Sequence, residues 1–304
     1  MEVARKFADF STPVLLIGET GSGKEMIAQA IHFSGKRQNG PFLSLHCGAI
    51  PGGLLESELF GYSGGAFSSG EGEDLGKAGK LELADGGTLF IEEIGLMPPD
   101  IQLKLLHYLK HKSFHRTGAN EPISSDVRII AAAQSSLLPV MEQGLFLEEL
   151  FYQLYAMSIE IPPLRERAED IPEFVQAFIR EFCDRYHKPM PRIDPDAMTA
   201  FMNYDWPGNV RELRNVIERT VILCDGDTIA LGHLPPGVAA AAAGDNEGDE
   251  EEGTLKLRSF NQKEDAIILE ALRKAYGNKS AAAKLLGISR GTLYKKMKEY
   301  DIDV

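Results

Sequence analysis

The stretch Val14–Lys24, VLLIGETGSGK, limits what this chain can fold into more than any other. A short apolar run breaks into glycines, and EMIAQAIHFS then repeats its apolar residues at helical spacing, so the segment predicts strand, tight loop and helix. GxxxxGK in that context is a phosphate-cradling loop. Glycines let the backbone N–H groups curl around the phosphates, Lys24 reaches the outer ones, and the helix N-terminus adds its positive dipole. The predicted nucleotide contacts are Gly18, Glu19, Thr20, Gly21, Ser22, Gly23, Lys24 and Glu25. At Glu25 the general pattern has Ser or Thr, the hydroxyl that meets Mg²⁺.

A second apolar run, Thr88–Ile91, ends in two carboxylates, Glu92 and Glu93. Beside a phosphate loop, such a strand end places one acid near the metal and another near the attacking water. These two are the candidate catalytic residues.

Further apolar runs such as Val127–Ala131 alternate with helical stretches through residues 1–160, predicting an α/β subdomain on a parallel sheet. Residues 161–237 read as helical, punctuated by Pro162–Pro163, Asp194–Pro195 and Trp206–Pro207–Gly208. Trp206 is expected to pack inside that helical part. AAAAAGDNEGDEEEG follows, so 238–254 is expected to be a self-repelling acidic tether that buries nothing.

Residues 255–304 form the last domain, predicted to be all-α. Ile267, Ile268, Ala271 and Leu272 give one helical face, Ser280 caps a second helix, Gly287 makes the turn and Ser289 caps a third. The third helix carries Leu293 and Met297 inward, with Arg290, Lys295, Lys296 and Lys298 outward. This is a helix-turn-helix pattern, whose last helix enters the major groove of double-stranded DNA. Arg290 and Thr292 sit where base edges would be met, the lysines suit phosphates, and Ser289 belongs to the same DNA-facing set. One copy offers little interface, so a dimer on a two-fold site is expected.

The net charge of −13 excludes a protein that coats nucleic acid over its whole surface, yet Thr254 to the end holds eleven Lys/Arg against six Asp/Glu. Three separated cysteines, Cys47, Cys183 and Cys224, form no CxxC pair, and Cys47 reads as core. His107, His111 and His115 recur four apart, as on one helix face, but no carboxylate or cysteine completes a ligand set, so no metal held by protein alone is expected. With no long apolar segment, a cytoplasmic protein without membrane contact is predicted.

These pieces together resemble the bacterial enhancer-binding proteins, the AAA+ activators of sigma-54 RNA polymerase. GETGSGKE looks like their phosphate loop, Glu after the lysine included. Glu56–Phe67, ESELFGYSGGAF, is similar to the approach to their sigma-contacting loop. PPLRER (Pro162–Arg167) and WPGNVREL (Trp206–Leu213) resemble their lid signatures, and the C-terminus resembles their Fis-type helix-turn-helix. The resemblance implies an AAA+ α/β ATPase with a helical lid, ATP or ADP with Mg²⁺ as ligand, and Arg211 as a sensor arginine at the nucleotide. It also implies RNA polymerase or its sigma factor as partner, and assembly from dimer to hexamer. No receiver domain precedes the ATPase, which implies either its removal or a regulator acting without one.

Several positions depart from the family pattern. The loop GAFTGA is Gly65, Ala66, Phe67, Ser68, Ser69, Gly70; the Asp-Glu pair is Glu92–Glu93. The asparagine that restrains the family's catalytic glutamate corresponds to His46, and the sensor Thr-Asn to Ala133–Gln134. In FLEELFYQL, Leu147 and Gln153 occupy the positions of two arginines that reach a neighbour's γ-phosphate. Such arginines contribute about 10³–10⁵ in rate. The expectation is a DNA-binding regulator that holds nucleotide with weak or absent hydrolysis, alone or co-assembled with a complete homologue. The alternative is an active ATP-hydrolysing sigma-54 activator, with another arginine such as Arg116 as finger.

Overall fold

The computed structural model describes residues 2–64 and 76–243. Five strands, β1 (Val14–Ile17), β2 (Phe42–His46), β3 (Thr88–Glu92), β4 (Arg128–Ala133) and β5 (Ser158–Glu160), form one sheet in the order β2-β3-β4-β1-β5. Every neighbouring pair is parallel, with Val14 opposite Ile130, Thr88 opposite Arg128 and His46 opposite Glu92. Parallel strands need crossovers, and the helices that supply them cover both faces of the sheet. That explains why all six residues of β4 are buried and why its sequence, RIIAAA, lacks the alternation of a half-exposed strand.

Helices α1 (Glu2–Ala8), α2 (Lys24–Phe33), α3 (Pro99–His111) and α4 (Glu148–Tyr155) belong to this α/β part. One side of the sheet packs Leu45, Leu89, Ile91, Ile129 and Ala131 against Leu105, Tyr108, Leu150 and Leu154. The other packs Val14, Leu16, Phe90 and Ile130 against Ala28 and Ile31 of α2. Buried Arg128 donates to the carbonyls of Ala8 (2.9 Å) and Phe7 (2.6 Å) at the end of α1, a helix C-terminus with carbonyls to spare.

The lid is helical: α5 (Ile171–Tyr186), α6 (Pro195–Asn203), α7 (Asn209–Leu223) and α8 (Pro236–Ala240). Its core joins Phe178, Phe182, Phe201, Leu213 and Ile217 around Trp206. Trp206 is fully buried, and its indole N–H donates to the Phe201 carbonyl at 2.8 Å. The observed class, a parallel α/β sheet with a helical lid, is the one the sequence predicts.

Two sequence expectations need correction. The alanine run is not tether at its start. Val238 is buried, Ala239 and Ala242 pack on the lid core, and the Ala241 carbonyl accepts from Asn203 at 3.1 Å. Small side chains let a helix approach closely, so 238–243 adds a last layer to the lid, and the acidic residues beyond lie outside the described part. The three histidines also do not share one helix face. Lys112 takes a left-handed conformation that ends α3 at His111, and His115 stands on a short strand, Ser113–His115. No helix among the described residues is long and apolar enough to cross a membrane.

Candidate nucleotide site

The loop Gly18–Gly23 leaves the end of β1 and enters α2, and the lid closes over it. Two glycines take positive φ, Gly21 at +78° and Gly23 at +101°. A Cβ on Gly21 would lie 2.3 Å from the Gly208 carbonyl of the lid, so loop and lid touch backbone to backbone. Lys24 folds inward and donates to the carbonyls of Gly18 (2.6 Å) and Glu19 (2.8 Å).

The lid junction grips the loop by side chains. Arg165 makes a two-pronged pair with Glu19 (2.6 and 3.0 Å), and Asn209 donates to the same carboxylate at 3.1 Å. The Arg165 pair, helped by Asn209, draws the Glu19 carboxyl down to about 2. Arg167 donates to the Ser22 carbonyl at 2.7 Å.

Beside the loop opens a cleft of about 530 Å³. Thr20, Gly21, Gly23, Lys24, Glu25, Glu92, Glu93 and Arg211 line it, together with His46 and Gln134. Most of the predicted nucleotide positions and both predicted catalytic ones thus border one space, while Gly18, Glu19 and Ser22 do not line it. Burial lowers the Lys24 ammonium from its ordinary value, with Glu92 opposing and Arg211 adding to the shift. Burial raises the Glu92 carboxyl; His46, Arg211 and Lys24 oppose, while Glu25 adds to it. Two opposite charges are each partly desolvated here, the condition in which a site for charged ligands stores electrostatic potential.

Glu93 follows directly after β3 in a left-handed conformation, φ 53° and ψ 47°, which is uncommon for a side chain of its size. Its carboxylate accepts from the Gln134 amide at 2.7 Å. His46 lies 3.7 Å from the other oxygen, but its Nδ1 accepts the Ala49 backbone N–H at 3.1 Å. A nitrogen that accepts that bond carries no proton for Glu93. His46 thus caps a local turn, and among the described residues it is Gln134 that hydrogen-bonds the carboxylate. A Cβ on Gly48 would sit 2.1 Å from Glu93 Oε2, so only glycine leaves room for this arrangement.

Leu147 and Gln153 are elsewhere. Leu147 precedes α4, packs against the sheet core, and donates its backbone N–H to Gln102 at 2.8 Å. Gln153 is exposed beside Thr12, Pro13 and Tyr152. Arg116 makes bonds of 2.6–3.1 Å with Glu82, which engages the guanidinium proposed as a substitute finger. Cys47 is buried, and burial pushes its thiol up to about 12, in keeping with a core residue. The loop positions Gly65–Gly70 and the DNA-facing set Ser289, Arg290, Thr292, Lys295, Lys296 and Lys298 lie outside the described residues.

Gly48, Arg165, Arg167 and Asn209 were not singled out by residue type alone. The lid signatures PPLRER and WPGNVREL contain three of them, and Asn209 carries a local signal besides: Asn after Pro-Gly tolerates the left-handed conformation found there, φ 53°.

Comparison with known proteins gives three successive matches along the chain. The sigma-54 interaction domain matches residues 1–160, the AAA+ ATPase lid domain 165–251, and the Fis family of bacterial regulatory proteins 260–300. Regulatory protein AtoC of Escherichia coli K12 is 41% identical over 302 residues, covering 98% of this chain and 64% of the relative. Transcriptional regulatory protein ZraR of Salmonella typhimurium is 42% identical over 284 residues, covering 93% and 62%. The chain thus spans less than two thirds of the length of these relatives. Among solved structures, NtrX from Brucella abortus in complex with ADP superposes with a TM-score of 0.72 at 31% identity, over 99% of this chain and 67% of that one.

Proposed function

Since the chain belongs to the sigma-54 enhancer-binding family of transcription regulators, we propose that it binds ATP or ADP in the Lys24 cleft, hydrolyses it weakly or not at all, and acts on DNA through its C-terminal domain. The observation that carries this is the neutrality of Leu147 and Gln153, away from a cleft that brings Lys24, Arg211 and two carboxylates together.

The residues present fit a nucleotide phosphate chain. Gly23 has open space where a Cβ would stand, and Lys24 and Arg211 bring positive charge to the same cleft. Glu92 offers a carboxylate to a divalent cation; Mg²⁺, when bound with nucleotide, would neutralise phosphate charge. Glu93, which accepts from Gln134, would orient a water. A transition state that gathers charge on the γ-phosphoryl also needs a cation from outside the subunit, and the family's two positions for it carry none. NtrX, solved with ADP and at lower identity with ATP, supports nucleotide binding on this fold.

On this reading Arg290 and Thr292 read bases, Ser289 caps the helix that carries them, Lys295, Lys296 and Lys298 meet phosphates, and Gly65–Gly70 is the surface offered to sigma factor. Nucleotide sets the assembly state, from dimer to hexamer. A homologue carrying both arginines would complete the site in mixed assemblies.

Steady-state hydrolysis measured against protein concentration, with nucleotide binding titrated in parallel and Lys24→Ala as background, tests this. Binding without turnover is expected. Robust turnover that rises with concentration and is lost in Lys24→Ala would overturn it in favour of a second reading, a working sigma-54 activator. The 2.7 Å bond from Gln134 to Glu93 favours that second reading, because the sensor position still reaches the catalytic acid.

A further inference from the structure

The peptide carbonyls from Gly18 through Ser22 all have donors, and the donors fall into two groups. Lys24 serves Gly18 and Glu19 from inside the loop. The next three are served by the lid: Thr20 by the Asn209 side chain (3.2 Å), Gly21 by the Arg211 backbone N–H (3.3 Å), and Ser22 by Arg167 (2.7 Å). In a trans peptide the N–H lies opposite the C=O, and this chain has no cis bonds among its described residues. Carbonyls drawn back to the lid therefore turn the amides of Gly21 and Gly23 to the opposite side of the loop. Those are amides a phosphate cradle uses.

Each lid donor is itself fixed. Asn209 is fully buried, and its carbonyl oxygen accepts from the Leu164 N–H at 2.7 Å, so one side chain ties the lid junction, α7 and the loop together. Arg167 leaves helical geometry (φ −137°, ψ 47°) within the stretch Leu164–Asp170, with its guanidinium 5.9 Å over the Phe174 ring.

We infer that Arg167 and Asn209 are positioning residues for phosphate recognition. Neither has to touch nucleotide. They hold the back of the loop so that its front is already set for the phosphates, and lid docking and phosphate affinity become one property. The inference rests on the proposal that this cleft binds nucleotide.

The test compares titrations of ADP and of adenosine, by calorimetry, into the wild type, Arg167→Met and Arg167→Lys. Methionine keeps a stem for packing on Phe174 but offers nothing to Ser22. Arg167→Met should weaken ADP about tenfold or more, the scale of a lost charge-assisted bond, and leave adenosine unchanged. Arg167→Lys should recover most of the ADP affinity. A general lid defect would weaken both ligands equally and overturn the inference, as would ADP binding in Arg167→Met equal to wild type. If Arg167→Met gives no cooperative melt, Arg167→Gln carries the same comparison. Absence of ADP binding by the wild type would remove the nucleotide proposal itself; binding retained by the wild type and undiminished by the variants would remove only this inference.

Discussion

The floor of the cleft and the outer face of α4 have opposite characters. In the loop that borders the floor, Glu19, Thr20, Gly21 and Ser22 each bond to a lid residue, and charge beside it is concentrated and partly buried. On α4 the residues that face away from the core, Glu148, Glu149, Tyr152 and Gln153, are exposed; none is a cation, and Lys110 neutralises Glu149. Both surfaces would be needed for hydrolysis shared between subunits. Only one of them carries cations among its described residues. On the proposed reading, affinity for nucleotide and turnover of nucleotide are separable, because the residues assigned to each lie on different elements.

The largest effect should come from rewriting the poor surface. Gln153→Arg, alone and with Leu147→Arg, is expected to raise turnover at high protein concentration by about 10²–10³, at or below the lower end of what such cations supply. The single variant should fold normally, because Gln153 is exposed. Leu147→Arg removes an apolar side chain packed on the core, so the double variant should melt lower. No gain in steady-state hydrolysis from either would mean that α4 does not face a neighbour's nucleotide, and the comparison would break.

A smaller change should damage the rich surface. Gly21→Ala places a Cβ 2.3 Å from the Gly208 carbonyl on a residue with φ +78°, so loop or lid must shift. ADP affinity should fall about tenfold to a hundredfold, with a modest loss of melting temperature. Gly53→Ala, with open space around its Cβ inside the helix Gly52–Phe60, is the control and should be neutral or slightly stabilising. Equal ADP affinity in both variants would show that backbone contact between lid and loop is incidental.

Much of this was legible in the sequence for physical reasons that operate locally. A buried parallel strand must be a continuous apolar run, and a phosphate loop needs glycine at its left-handed positions; both leave marks in a window of ten residues. Trp206 announced a buried lid core because nothing else in the segment is so large. The alanine run misled because composition was judged without its partner: five alanines have no core of their own, but Phe201 and its neighbours gave the first of them one. His46 and Gln134 looked like parallel losses around Glu93, yet one turned aside to Ala49 while the other kept its bond. Which of two polar side chains reaches a carboxylate depends on tenths of an ångström between strands that are far apart in sequence.

The smallest effect concerns the cost of assembling the rich surface. Burial holds the Glu92 carboxyl above its ordinary value of 4.5, so its charged form is disfavoured in the fold. A raised carboxyl contributes its relative stability fully below the unfolded value, and that contribution is lost as pH rises through the folded value. Without nucleotide, Glu92→Gln removes the cost and should raise the melting temperature at pH 7 by about 1–3 °C. The gap between variant and wild type should widen as pH rises from 4.5 and then level off. With Mg²⁺ and ADP present the order should reverse, because the carboxylate gains a cation that the amide binds poorly. A Glu92 that serves only as the end of β3 would give the same gap with and without ligand. Thermal melts of the two proteins across pH, with and without Mg²⁺·ADP, separate a strand end from a ligand site, and they do so without requiring that the chain hydrolyse anything.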